Sequence, residues 1–179
     1  MKVSWKKAFA VGGFLGGLCA VLALAIAGVD ALTRDVIERN KIEKERAGLM
    51  QVFEDGVIEP VQTIADEDYP TLRKYWTVTF SEQEQARIYS ATDTNSYGTV
   101  SLLIGVYGTG ALGRIVVLEN TESYATTLQE KYFDVYNASS DKETAVEEVK
   151  VTATYGAKMC RDMIKSAKNH YLNERGQHE

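Results

Sequence analysis

The chain has 179 residues, a formal charge of −5, two cysteines and two histidines. That length holds one ordinary domain and an appendage, and the acidic balance repels nucleic-acid phosphates and anionic lipid headgroups. Cys19 and Cys160 leave no disulfide framework, and with His170 and His178 both in the C-terminal tail no His/Cys cluster is present to hold a metal.

The appendage comes first. From Ala8 to Ala31 the sequence reads AFAVGGFLGGLCAVLALAIAGVDA, with no charge before Asp30. It is long enough to cross the ~30 Å hydrocarbon layer as a helix. Residues 1–7 contribute Lys2, Lys6 and Lys7, and such a basic flank places the N-terminus in the cytoplasm and everything beyond the span outside it. The expected location is therefore the inner cell membrane, crossed once. A cleaved signal peptide is the alternative, with Ala25-Ile-Ala27 as the small-x-small site, although the apolar run exceeds the ~7–15 residues of an ordinary h-region. Without the three lysines, the chain from Asp30 onward carries −8 instead of −5.

Residues 32–56 read as a connector. Leu32 to Phe53 is rich in helix formers and free of proline, with a thin apolar stripe, and Glu54-Asp-Gly56 ends it. Residues 57–179 then form the expected extracytoplasmic domain. Val57 to Asp68 is mixed and acidic, and Tyr69-Pro70 breaks the pattern.

Strand signals follow: Tyr75 to Phe80 is dense in aromatic and β-branched residues, Ala86 to Ala91 alternates, and Thr99 to Tyr107 suits a strand buried on both faces. Gly108-Thr-Gly-Ala-Leu-Gly113 leads into Arg114 to Glu119, which predicts a hairpin. The glycines match G-x-G-x-x-G, but a dinucleotide site needs a helix next and a β-branched run stands there, so they are read as turn formers. Thr121 to Tyr136 has helical spacing in Leu128, Tyr132 and Val135 without settling its type. Tyr155 to Leu172 predicts an amphipathic helix on the sheet, through Met159, Cys160, Met163, Ile164 and Ala167. The fold class is α+β, an antiparallel or mixed sheet with packed helices behind one transmembrane helix.

Thr152 and Thr154 stand just before this last helix. A helix start offers unpaired amides and a positive dipole end, so a hydroxyl there either caps the helix or accompanies a bound phosphate. Both readings stay open on the residues alone. Glu122 and Ser123 read as solvated loop residues or ligand contacts, Tyr124 as core cover or a stacking ring, and Lys158 as a surface lysine or a phosphate partner. Cys160 reads as a small buried hydrophobe, and no catalytic triad is evident.

Three regions resemble a known family. They are the span leading into Ala31-Leu-Thr-Arg-Asp-Val-Ile-Glu38 and Ala47-Gly-Leu-Met-Gln-Val-Phe53; the hairpin Leu102-Leu-Ile-Gly-Val106 through Gly113 to Ser123; and Glu148-Val-Lys-Val-Thr-Ala-Thr154. In order, they are similar to the FMN-binding domain family that includes the G subunit of the Rnf electron-transport complex and the C subunit of the sodium-pumping NADH:quinone reductase. The third resembles the family's Asp-x-x-Ser-Gly-Ala-Thr, with Glu148, Val151 and Thr152 where the family has Asp, Ser and Gly; Tyr124 and Ala125 stand in for the Pro and Gly of its Glu-Thr-Pro-Gly segment.

The resemblance implies a covalent FMN, joined by a phosphoester to Thr154 and installed by a separate flavin transferase that uses FAD. Thr152, Ala153, Glu122, Ser123, Tyr124 and Lys158 are the further cofactor-binding residues it suggests. It implies an electron-carrying subunit, not a stand-alone enzyme, with no catalytic residue of its own. Its partners are the other membrane and peripheral subunits of an Rnf-type ferredoxin:NAD oxidoreductase that couples electron flow to ion translocation. The rivals are a flavin-free structural subunit of the same complex and a free-standing extracytoplasmic flavoprotein reductase.

Overall fold

The computed structural model of the protein describes residues 5–80, 85–148 and 153–176. The chain divides into two compact units, Met1–Lys44 and Glu45–Glu179. Helix α1 (Trp5–Val52) runs without interruption through the expected span and the expected connector. It holds no proline, so nothing removes an amide or clashes with a preceding carbonyl along its length. Among the described residues it is the one helix long and apolar enough to cross a membrane. Its apolar side chains from Phe9 to Val29 are exposed, which separates it from the core helix of a water-soluble protein.

The second unit is built on a six-stranded antiparallel sheet. Its strands are β1 (Val57–Ile58), β2 (Gln62–Thr63), β3 (Leu72–Thr79), β4 (Gln85–Asn95), β5 (Gly98–Tyr107) and β6 (Leu112–Asn120). The order is β1-β3-β4-β5-β6, with β2 also paired to β3. All three longer strand signals and the glycine-turned hairpin of the sequence are present. β4 runs four residues past the expected Ala91, because Thr92 to Asn95 pair with Gly98 to Ser101 in a hairpin the apolar pattern did not mark.

Both faces of this sheet are covered, which is why β5 reads as a nearly continuous apolar run. On one face Trp76, Val78, Ile88 and Leu103 pack with Leu49 and Val52 from the end of α1 and with Phe53 just after it. Burying three such side chains stabilises by roughly 1.5–3 kcal/mol each, so the end of the connector is docked on the sheet.

The other face carries the larger core. Tyr89, Leu102, Ile104 and Ile115 meet Leu128, Tyr132, Phe133 and Tyr136, and Met163, Ile164 and Ala167 of the last helix. The ambiguous segment after β6 is helical: α2 (Ala125–Leu128), a π turn (Gln129–Phe133) and α3 (Asp134–Ala138) follow one another directly. α4 (Lys142–Glu148) was not expected from the acidic run that forms it. Asp141 caps it, accepting from the Thr144 amide at 3.1 Å and the Thr144 hydroxyl at 2.6 Å. These bonds from Thr144 hold the Asp141 carboxyl below its ordinary value. The final helix, α5 (Thr154–Gly176), buries the expected Met159, Cys160, Met163, Ile164 and Ala167 stripe.

Two side chains close the open edge of β6. Asn137 accepts from the Ile115 amide at 3.0 Å and donates to its carbonyl at 2.8 Å, pairing with that residue as a neighbouring strand would. Glu143 accepts from the Leu112 amide at 3.3 Å.

Candidate functional site

The start of α5, the loop after β6 and the tip of the β4–β5 hairpin meet in one cleft of about 220 Å³. Its walls are Ala153, Thr154, Tyr155 and Gly156 from the helix start, Glu122 and Tyr124 from the loop, and Tyr97 from the hairpin. Four of the residues singled out in the sequence, Thr154, Ala153, Glu122 and Tyr124, therefore come together.

The others stand differently. Ser123 lies just outside the cleft, where its amide and hydroxyl both donate to the Tyr97 carbonyl, at 3.0 and 3.3 Å. Its role is to hold the hairpin tip. Lys158 is exposed, about one turn further along α5, and does not line the cleft. Thr152 lies outside the described residues, as do Val149, Lys150 and Val151.

The helix start differs from a simple threonine cap. Ala153 supplies the carbonyl that accepts the first intrahelical bond, from Ala157 at 2.9 Å, so the cap position falls on Ala153 and Thr154 is the first helical residue. The Thr154 side chain is exposed beside the cleft. Amides in this first turn lack intrahelical acceptors, and the 23 residues of α5 put the positive end of their dipole here.

A carboxylate already answers that field. Glu122 is only 5 % exposed, against its reading as a solvated loop acid. Its side chain lies flat on the Cα of Gly156: a methyl there would sit 2.7 Å from one carboxylate oxygen and 2.9 Å from the other. Glycine is needed for this approach. Asn95 donates to the same carboxylate at 2.6 Å, and a buried carboxylate without such partners would cost several kcal/mol.

The hairpin tip is set by the same Asn95. Its side-chain oxygen accepts from the amides of Tyr97 at 2.7 Å and Gly98 at 3.1 Å, a turn that asparagine favours. Gly98 has φ of +151° and brings its backbone against Thr121, where a methyl would lie 2.4 Å from the Thr121 carbonyl oxygen.

Aromatic surface surrounds the opening. Tyr97 and Tyr155 stack with ring centres 5.6 Å apart and planes 28° from parallel. Tyr97, Tyr124 and Tyr155 are 44, 55 and 68 % exposed, high for side chains that usually cover core. Tyr97 and Asn95 went unassigned in the sequence. The signal that could have found them is Asn-Ser-Tyr-Gly, a two-residue hairpin loop with a glycine after it.

Among the described residues, the cleft is lined by no cysteine, histidine or lysine. Cys160 is fully buried, and burial, with Glu122 and Asp93 nearby, pushes its thiol far above its ordinary value. Among the described residues no group of three or more His, Cys, Asp or Glu side chains could hold a metal ion. Compared with known proteins, the chain matches no family model, and no curated sequence is significantly similar to it.

Proposed function

We propose that this protein is a membrane-anchored flavin carrier, the FMN-bearing subunit of an Rnf-type ferredoxin:NAD oxidoreductase complex, with FMN esterified through its phosphate to Thr154. The observation that carries the reading is the position of Thr154: an exposed residue, the first of a long helix, at the edge of a tyrosine-walled cleft. A tethered phosphate at a helix start is electrostatically favoured. The cleft is smaller than the ~300–1,000 Å³ of sites that enclose a ligand, which suits a ring lying over Tyr97, Tyr124 or Tyr155 with an edge left open for electron exchange.

Attachment balances as a transfer from FAD. The Thr154 oxygen forms the new bond to the FMN phosphorus, the pyrophosphate bond breaks, AMP leaves, and the hydroxyl proton is lost to the transferase. Bound FMN supplies the one-electron chemistry. The chain's own residues do the rest: Thr154 tethers, the tyrosines offer flat apolar surface, Ser123 and Asn95 fix the hairpin that carries Tyr97, and α1 confines the domain to a membrane.

Glu122 favours a second reading, a flavin-free structural subunit of the same complex. Its carboxylate lies against Gly156 in the first turn of α5 and repels a phosphate brought beside it. Expression with a flavin transferase separates the two. Flavin fluorescence that stays with the denatured protein and disappears in Thr154→Ala supports the carrier; a colourless wild-type protein supports the structural subunit.

A further inference from the structure

The cleft at the start of α5 has a chemistry that the Thr154 hydroxyl does not exhaust. Tyr97, Tyr124 and Tyr155 reach it from the β4–β5 hairpin, the loop after β6 and the helix itself, and none of the three packs in either hydrophobic core. All three remain exposed. Aromatic walls around a cavity are the usual lining of a small-molecule site.

Beside the rings lies a formal charge where charge is costly. Glu122 lines the same cleft and is nine-tenths buried. Its hydrogen-bond donor among the described residues is the neutral Asn95 side chain, at 2.6 Å, and among those residues no lysine or arginine lines the cleft. The start of α5 offsets part of this charge, but a helix end carries only about half an elementary charge. The cleft keeps a net negative field, and a cation that reaches the carboxylate is attracted to it. Acid and ring are also placed as one unit: the Asn95 that donates to Glu122 accepts from the Tyr97 amide, whose own carbonyl is held by Ser123.

We infer that this cleft binds a methylated ammonium group, its positive charge beside Glu122 and its methyl groups against Tyr97, Tyr124 and Tyr155. Aromatic faces attract such groups. A single carboxylate is a poor site for Ca²⁺, which takes about 6–8 oxygen ligands. At about 220 Å³ the cleft falls below the ~300–1,000 Å³ of drug-sized sites, which limits the bound group to a few heavy atoms. The inference concerns the chain whose Thr154 carries no added group, so it holds whether or not that residue can accept FMN.

The test is calorimetric titration of the full-length protein, made without a flavin transferase and purified in a maltoside detergent, with choline chloride at constant ionic strength. The neutral isostere 3,3-dimethylbutan-1-ol and sodium chloride are the comparisons. Saturable choline binding is expected, with about tenfold weaker binding of the alcohol. Glu122→Gln keeps an acceptor for Asn95 and should weaken choline several-fold. Tyr124→Leu, at an exposed position outside both cores, should do the same without changing thermal unfolding. Glycerophosphocholine separates the sources of such a group: tighter binding than choline assigns the cleft to a lipid headgroup, and weaker binding to a free cation. Choline heats no different from those of sodium chloride overturn the proposal, as does equal affinity for choline and the alcohol, or undiminished choline affinity in either variant.

Discussion

Asn95 donates a 2.6 Å hydrogen bond to Glu122, joining the tip of one hairpin to the loop that follows the last strand. The bond does two things at once. It satisfies a buried carboxylate, and it fixes Tyr97 at the rim of the Thr154 cleft. Asn95→Ala removes this bond and both amide contacts of the turn, leaving the acid short of a partner. A loss of about 2–3 kcal/mol is expected from urea denaturation, larger than for Glu122→Gln, which keeps an acceptor without the charge.

Gly156→Ala forces a methyl against the Glu122 carboxylate, which would lie 2.7 Å away. The expected destabilisation is about 1–3 kcal/mol. Glu122→Ala removes the obstacle, so the double variant should be more stable than the sum of the two single effects allows. Additive losses would mean that the two residues do not touch.

Asn137→Ala leaves both the amide and the carbonyl of Ile115 without their partner on the edge of β6. We expect a loss of about 2–3 kcal/mol, with faster aggregation on mild heating because the strand edge is opened. Asn137→Asp should recover little, since it can accept from the amide but not donate to the carbonyl.

Burial lowers the His170 pKa from its ordinary 6.5, aided by the charge of Arg87 and opposed by Glu174 and Asp66. The unfolded chain then takes up a proton that the folded chain resists, so stability is fully present above about pH 6.5 and falls as pH drops toward the folded value. Denaturation between about pH 7.5 and about pH 5 should show a steeper decline for the wild-type protein than for His170→Gln. Equal slopes would assign the decline to the carboxylates.

Long-range features were the legible part of the sequence. The apolar run of α1, the β-branched strands, the glycine turn at Gly108 to Gly113 and the stripe of α5 all follow from periodicity, which burial enforces directly. The short β1 and β2, helix α4 and the extension of β4 were not legible. Two-residue strands have no period, α4 is too short for one, with only Ala145 and Val146 buried behind the Asp141 cap, and Thr92 to Asn95 pair through their backbone. At the site, Thr154 and Glu122 stood out by chain position, but the burial of Glu122 depends on Gly156 and Asn95, which lie 34 residues after it and 27 residues before it. Tyr97 reaches the cleft only because the hairpin folds over, a contact no local pattern encodes.

The most direct measurement is peptide mapping by mass spectrometry of protein expressed together with a flavin transferase. The account predicts one FMN, linked through its phosphate, on the peptide containing Thr154, and none in Thr154→Ala. An unmodified Thr154 peptide from cells in which the transferase demonstrably modifies another substrate, or FMN found on a different threonine, would contradict it.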